Sequence, residues 1–179
     1  ATNYVTNPRL VDDNSDGTPN LWTLGSTVAG TPTLTVIDRG CGRYAIRCQY
    51  TGVAGDADGN KVIYLQFATA AGTFAAGDPL SVQASASGSV SGCVAQMYAY
   101  TRTAAGALVD SSEGVVSISE TVTRYSASLA ACGASVSYAQ IRLYFASNIG
   151  EGDTLDVTWE LPQIEKAAAP TTYFDGAML

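Results

Sequence analysis

Apolar and polar residues alternate along most of this sequence, and segments with the three- and four-residue spacing of an amphipathic helix are missing. Successive side chains of a strand point to opposite faces, so the alternation predicts half-buried β-strands. Clusters of glycine, aspartate and asparagine separate these segments and are typical of turns. The predicted strands are residues 33–37, 44–50, 62–67, 80–86, 93–100, 115–119, 123–129, 139–145 and 155–161.

About nine short strands of this kind predict an all-β fold, a two-sheet antiparallel β-sandwich or jelly roll. A chain of 179 residues is long enough for one ordinary domain with a real core and short for two, so residues 1–179 are expected to form a single domain. Trp22 and Trp159 are assigned to the core or its rim, because Trp159 shares a strand face with Leu155 and Val157.

Three predicted strands carry apolar residues on one face and tyrosine, glutamine or arginine on the other. A flat aromatic ring stacks on the C–H face of a sugar, while planar amide and guanidinium groups bond its hydroxyls. The outward residues are therefore candidates for carbohydrate binding. Tyrosine also lies comfortably on any half-exposed sheet, so a purely structural role stays open. The candidates are Tyr64, Gln66, Gln96, Tyr98, Tyr100, Arg142 and Tyr144.

The charge balance argues against a nucleic-acid partner. The formal net charge is −7 with a pI near 4.3, and no run of basic residues is available to neutralise phosphates. No stretch approaches the roughly eighteen apolar residues of a membrane span, so membrane insertion is not expected. The opening "ATNYVTNPRL" has neither the basic start nor the apolar segment of a secretory signal. We expect a soluble chain, either a mature fragment or a protein exported without a cleaved signal.

The sequence contains no histidine and four cysteines. Without histidine, the usual general base and the commonest zinc ligand are absent. The cysteine spacing fits no C-x-x-C metal or redox motif, and four cysteines permit two disulfides in an oxidising compartment. If residues 43–50 form one extended strand, Cys41 and Cys48 lie too far apart along it to bond unless the chain turns back, and Cys93–Cys132 is the pairing we prefer. The alternative is that Cys48 and Cys93 are reduced core residues.

The acidic stretch "DDNSDGTP" at 12–19 carries oxygen-bearing side chains at alternate positions, Asp12, Asn14 and Asp16, followed by a glycine. A short loop can wrap such oxygens around a hard cation such as Ca²⁺. The segment is not an EF-hand, because Thr23 stands where the bidentate glutamate is needed. An ordinary polar turn with Asx hydrogen bonds and no metal is the alternative.

The two ends of the chain together resemble a known family. "YVTNPRLVDDNSDGTPNLW" resembles the opening of family 4/9/22-type carbohydrate-binding modules, and "GDTLDVTWELPQIEKAAAPTTYFDG" is similar to the closing strand of related modules in phage tail and virion surface proteins. The usual glycine of the tail motif is replaced by Ala167, and Glu160 stands where aspartate is more common. The matching tail residues are Gln163, Ile164, Glu165, Thr171 or Thr172, and Tyr173.

The resemblance implies a jelly roll with a structural calcium where the N-terminal loop meets the last strand. The implied ligands are the side chains of Asp12, Asn14 and Asp16, a backbone carbonyl near Thr18, and Glu160 from the closing strand. The ion would tie loop and strands together without taking part in chemistry.

Three functions are compatible with these observations. The first is a non-catalytic carbohydrate-binding module that recognises a polysaccharide or cell-surface glycan from an extracellular or virion surface. The second is an assembly role, in which the faces of the sandwich contact other subunits of a particle. The third is a carbohydrate-active enzyme, which needs two carboxylates at a fixed separation. Its candidate carboxylates are Glu113, Glu120, Glu151, Asp153 and Asp156.

Overall fold

The computed structural model describes residues 2–5, 8–10, 12 and 18–172. Within these ranges the chain forms ten strands and one short 3-10 turn at Ala54–Asp56, and it contains no helix long and apolar enough to cross a membrane. The strands are β1 Thr23–Ser26, β2 Thr33–Gly40, β3 Arg43–Thr51, β4 Lys61–Ala68, β5 Leu80–Ser91, β6 Val94–Arg102, β7 Leu108–Gly114, β8 Thr123–Leu129, β9 Tyr138–Ile149 and β10 Thr154–Glu165.

The strands form two five-stranded antiparallel sheets, which confirms the predicted all-β sandwich. The first sheet has the order β1-β4-β9-β6-β7, and the second has the order β2-β3-β10-β5-β8. Apolar side chains from the inner faces of both sheets form one core. Trp159 of β10 is completely buried and Trp22 is 5% exposed, so both tryptophans belong to the interior as predicted.

The strand predictions were wrong at one segment and incomplete at two. Residues 115–119, predicted as a strand, form a connection from β7 in the first sheet to β8 in the second. Their alternation arises because Val116 and Ile118 pack against the core while Val115 faces solvent. The strands β1 and β7 were not predicted. Both are short edge strands with few apolar residues, so periodicity gives them little signal.

The predicted disulfide is wrong, because all four cysteines are free. Cys93 lies just before the start of β6, whereas Cys132 lies near the other end of that strand. There Gly133 donates a 2.8 Å hydrogen bond to Asp110, which pairs with Thr101. Eight residues of extended strand separate Cys93 from Thr101, the residue near which Cys132 lies. This is a distance of roughly 25 Å, far beyond the reach of a disulfide.

Three of the four cysteines are part of the core: Cys48 and Cys93, as the alternative interpretation held, and also Cys132. Cys48 is completely buried and Cys93 is 5% exposed. Burial raises the pKa of the Cys48 thiol to about 12, so this thiol stays protonated at neutral pH. A protonated, enclosed thiol behaves as a small apolar side chain.

The closing motif of the sequence organises the end of β10. Gln163 is completely buried, and its side-chain oxygen accepts a 2.9 Å hydrogen bond from Gln83 of β5. Glu165 accepts hydrogen bonds from the backbone N–H of Thr171 at 2.9 Å and from its hydroxyl at 2.5 Å. Thr171, one of the two threonines that could match the motif, thus ties the tail back to the end of β10. Tyr173 lies outside the described residues.

A buried carboxylate connects the loops at one end of the sandwich. Asp56 is completely buried and accepts hydrogen bonds from the Tyr50 hydroxyl at 2.5 Å, from Ala29 N–H at 2.7 Å and from Val53 N–H at 3.1 Å. Burial alone would raise the pKa of Asp56, but the donors, led by Tyr50, outweigh burial and lower it. The ionised carboxylate thus holds two loops against β3.

We expect Asp56→Asn to lower the melting temperature by roughly 3 to 8 °C at pH 7, because an amide cannot accept all three hydrogen bonds. The folded-state pKa lies below the unfolded value of about 3.9, so the stabilisation is present above that pH and is lost as pH falls through the folded pKa. Thermal melts from pH 7 to 3 should therefore show a weaker acid dependence in the variant.

Asp58→Asn is the matched control, since Asp58 is an exposed carboxylate in the same loop and forms a surface ion pair with Lys61. This variant should melt close to the wild type at pH 7. An Asp56→Asn protein with unchanged melting temperature and acid dependence would contradict the proposed role of the carboxylate.

Candidate functional site

The outer side of the first sheet carries the seven residues predicted to bind sugar, hereafter the tyrosine face: Tyr64, Gln66, Gln96, Tyr98, Tyr100, Arg142 and Tyr144. They come from three adjacent strands, β4, β9 and β6. In the strand register, Tyr64 lies opposite Tyr144, which lies opposite Gln96. In the same way, Gln66 lies opposite Arg142, which lies opposite Tyr98. The structure therefore brings all seven together on one surface. Six are partly exposed, and Tyr144 is 9% exposed.

The four tyrosines of this face pack against one another. Tyr98 and Tyr100 are stacked, with ring centroids 5.3 Å apart and an interplanar angle of 15°. Tyr144 contacts the Tyr64 ring at 5.0 Å and meets Tyr98 edge-on at 5.6 Å. These separations lie in the range in which aromatic pairs attract. The rings consequently form one connected aromatic surface.

Arg142 lies at the centre of the aromatic surface. Its guanidinium carbon is 4.8 Å from the Tyr64 ring centroid and 5.1 Å from that of Tyr100. Its Nε donates to Gln66 Oε1 at 3.0 Å, and its Nη1 donates to the Tyr144 hydroxyl at 3.4 Å. Cation–π contacts and hydrogen bonds together hold the guanidinium in one position. A fixed positive, planar donor is thus surrounded by rings.

A second hydrogen-bonded group borders the face on the β7 side. Gln96 Nε2 donates to Glu113 Oε1 at 2.8 Å and to the Tyr98 hydroxyl at 3.2 Å, and its oxygen accepts from the Ser147 hydroxyl. Glu113 was considered only as an enzyme carboxylate. Its place beside the face could not be predicted, because β7 was not recognised as a strand.

Two further residues at the edge of the face, Arg102 and Gln140, were not among the candidates predicted from the sequence. Arg102 Nε donates to Gln140 Oε1 at 2.9 Å, and the Arg102 guanidinium lies 5.6 Å from the Tyr100 ring centroid. Strand alternation does contain this signal, since Gln140 and Arg102 continue the outward positions of β9 and β6. The predicted strands, which covered 139–145 and 93–100, placed Gln140 near a strand end and excluded Arg102.

Two phenols of the face, those of Tyr98 and Tyr100, are held in their neutral form. Burial, followed by a hydrogen bond to Glu113, raises the pKa of Tyr98. Burial and the neighbouring Tyr144 raise the pKa of Tyr100 well above its usual range. Neutral phenols both donate and accept hydrogen bonds. The face can therefore recognise an uncharged polyhydroxyl compound at any physiological pH.

The residues expected to bind calcium are only partly described. Asn14 and Asp16 lie outside the described residues, whereas Asp12 and Thr18 lie within them. The N-terminal segment does approach the last strand, since Tyr4 N–H donates to Ile164 O at 2.9 Å. The described part of the chain contains no group of three or more acidic, histidine or cysteine residues that could hold a metal ion.

The expected closing ligand, Glu160, already has a cationic partner. Its Oε2 accepts a hydrogen bond from Arg39 Nε at 3.0 Å. A calcium ion at the same carboxylate would have to share it with the guanidinium or displace it. Calcium binding by this loop stays a prediction.

Among the carboxylates considered for glycoside hydrolysis, Asp156 has the most defined surroundings. Arg47 donates to both of its oxygens, and this pairing lowers the pKa of Asp156. Asp153 accepts a 2.7 Å hydrogen bond from Gly150 N–H in a turn. An ionised, arginine-paired carboxylate suits hydrogen-bond acceptance better than the proton donation that a general acid must perform.

No protein-family model matches this sequence, and no curated protein matches it either. Solved structures do share its fold. The chain superposes on part of the "tailspike protein 4 enzymatically active domain" of bacteriophage CBA120 with a TM-score of 0.68 at 13% identity. The alignment covers 92% of this chain but only 21% of that one.

Carbohydrate-binding modules share the fold over nearly their whole length. A family 11 module from Clostridium thermocellum, solved in complex with a β-1,3-1,4-mixed-linked tetrasaccharide, gives a TM-score of 0.55 at 11% identity and covers 89% of this chain and 96% of its own. The module TmCBM61, solved with β-1,4-galactotriose, gives 0.53 at 12% identity, with 93% and 100% covered. The chain thus has the β-sandwich fold found in carbohydrate-binding modules and in a phage tailspike.

Proposed function

We propose that this protein binds a glycan through the tyrosine face and does not catalyse a reaction on it. The observation that carries the proposal is the fixed Arg142 guanidinium amid four packed tyrosines. Such a surface offers apolar ring edges beside hydrogen-bond donors that are already oriented, so little conformational entropy is lost on binding. The fold shared with carbohydrate-binding modules supports the same conclusion.

The packing of the rings indicates how a sugar would be held. The Tyr98 and Tyr100 rings lie against each other, and Arg142 lies near the Tyr64 and Tyr100 rings. Part of the surface of these rings is therefore covered by contacts within the protein and cannot stack on a sugar. We infer that hydroxyl, amide and guanidinium groups supply much of the recognition alongside stacking.

Calorimetric titration with the mixed-linked tetrasaccharide, with β-1,4-galactotriose and with a panel of polysaccharides tests this proposal. We expect Tyr98→Ala to cost on the order of 1 kcal/mol or more, about fivefold in Kd, and Tyr144→Ala a similar amount. Tyr98→Phe, which removes one hydroxyl and keeps the ring, should weaken binding less than Tyr98→Ala.

The matched control for this hydroxyl deletion is Tyr125→Phe, because Tyr125 lies on β8 in the opposite sheet. Its sugar affinity should equal that of the wild type. Full binding by both alanine variants would exclude this face as the site, and melting curves on every variant separate lost binding from lost folding.

We propose no catalytic step, in keeping with the lowered pKa of Asp156. Incubation with the polysaccharides that bind should release no reducing sugar above the level of a heat-inactivated sample. Release that is abolished by Asp156→Asn would instead support the enzyme interpretation.

An assembly role on a phage-like particle is the second candidate, and the similarity to the tailspike segment favours it. On this hypothesis the protein would be at a virion surface and its faces would contact other subunits. The two roles differ in what contacts the tyrosine face. A native assembly in which another subunit covers Tyr98 would exclude that face from glycan attachment.

For the N-terminal loop we propose a structural calcium site built from Asp12, Asn14 and Asp16. Thermal melts with calcium and with EDTA should then differ, with the higher melting temperature in calcium. Glu160→Gln tests the closing ligand. If Glu160 binds the ion, this variant should lose most of the calcium-dependent increase. If it serves only as the partner of Arg39, the increase should remain, and an identical melt with and without calcium would exclude the site altogether.

A further inference from the structure

The outer side of the second sheet contains a groove that the tyrosine face does not reach. A cavity of about 500 Å³ opens at one end of this sheet, and a smaller one of about 230 Å³ lies beside it. Ser89 and Asp156 line both cavities, so the two are neighbouring parts of one groove. The larger part falls within the 300 to 1,000 Å³ that is typical of small-molecule sites.

Strand register explains why the side chains on the floor of the groove are polar and why several of them are short. Thr33, Gln49, Asp156 and Ser89 are consecutive cross-strand neighbours on β2, β3, β10 and β5. Their chain neighbours, such as Val157, point into the core. Serine and threonine side chains rise little above a sheet, so a ligand can approach the backbone closely.

A fixed network of planar polar groups occupies the middle of the groove. Arg47 Nε donates to Asp156 Oδ1 at 2.7 Å, and its Nη2 donates to Oδ2 of the same carboxylate. Gln49 Nε2 donates to Asp156 Oδ2 at 3.0 Å. Bidentate pairing fixes the plane of both charged groups, which is the preorganisation that recognition of neighbouring hydroxyls requires.

The wall at the loop end is rigid and carries one exposed apolar side chain. Val53 is 44% exposed, whereas Tyr50 and Leu155, which also line the wall, are core residues that are 8% and 4% exposed. The Tyr50 hydroxyl donates to Asp56 and accepts a 3.0 Å hydrogen bond from Gly30 N–H, so the ring cannot turn away. A pyranose has an apolar C–H face and a rim of hydroxyls, so its C–H face would contact Val53 and its hydroxyls would contact the polar floor.

We propose that this groove is a second carbohydrate-binding site, for one or two residues of a neutral sugar chain. Charge favours a neutral ligand, because Arg47 and Asp156 compensate each other while Glu120 lines the smaller cavity and would repel an anion. The ligand class rests on the proposed function, but the site does not depend on the tyrosine face. With sites on opposite sheets, one molecule can bridge two glycan chains and gain affinity through bivalency.

Amide chemical-shift mapping by NMR with the mixed-linked tetrasaccharide, galactotriose and glucose oligomers at millimolar concentration tests this site separately. Shifts of Gly30, Gln49 and Ser89 amides report on the groove, and shifts of Tyr64 and Tyr98 amides report on the tyrosine face. We expect at least one of these sugars to shift the groove amides in the wild type, with the response retained in Tyr98→Ala.

Two variants are designed to remove binding in the groove. Gln49→Ala deletes an exposed amide of the network, and we expect it to weaken groove binding at least threefold. Ser89→Trp fills the exposed floor and should abolish it. Ser128→Trp is the matched control, since Ser128 is an exposed residue at the far end of β8 in the same sheet and should leave the response unchanged.

The outcomes distinguish this proposal from that for the tyrosine face. Groove shifts that Gln49→Ala weakens support the second site even if the tyrosine-face amides do not move, in which case only the proposed function through that face fails. Tyrosine-face shifts without groove shifts overturn the second site alone. Groove shifts that persist at full strength in both Gln49→Ala and Ser89→Trp also overturn it, as does the absence of any shift with every sugar.

Discussion

The burial of two apolar sheet faces against each other is the constraint on which the rest of this structure depends. Trp159 of β10 lies completely inside this layer, and its indole N–H donates a 3.2 Å hydrogen bond across the sandwich to the backbone carbonyl of Tyr144 on β9. The Tyr125 ring of β8 meets the same indole in a T-shaped arrangement, with ring centroids 6.4 Å apart. One side chain thus connects both sheets, so the position of β9 is fixed from within the core.

That internal connection has consequences on the surface. Tyr144 on β9 is the cross-strand neighbour of Tyr64 on β4 and of Gln96 on β6, so its position sets the register of both neighbouring strands. A slip of one residue between these strands would move each outward ring into the core and each core residue into solvent, at a cost of several buried apolar side chains. The surface proposed to bind glycans is therefore held in place by the energetics of the core.

The two outer faces of the sandwich present their hydrogen-bonding groups in different ways. On the first sheet, large rings and a guanidinium pack on one another and form a raised, connected surface. On the second sheet, small hydroxylated side chains leave space, and paired groups such as Arg47 and Asp156 stand in the resulting groove. Both arrangements present hydrogen-bonding groups whose geometry is fixed before any ligand arrives.

The sequence by itself determined the fold class and the composition of each strand face, because period-two alternation reflects which side chains can be buried. It placed the apolar faces of three strands inside and the seven candidates of the tyrosine face outside. It failed where structure is set by contacts distant in sequence. Residues 115–119 alternate because they cross between sheets, and Cys93 and Cys132 lie near opposite ends of β6. Only the tertiary structure decided that Glu113 borders the face and that Asp156 joins Gln49 in a groove, since strand order and register arise from how two whole sheets pack, which no local pattern specifies.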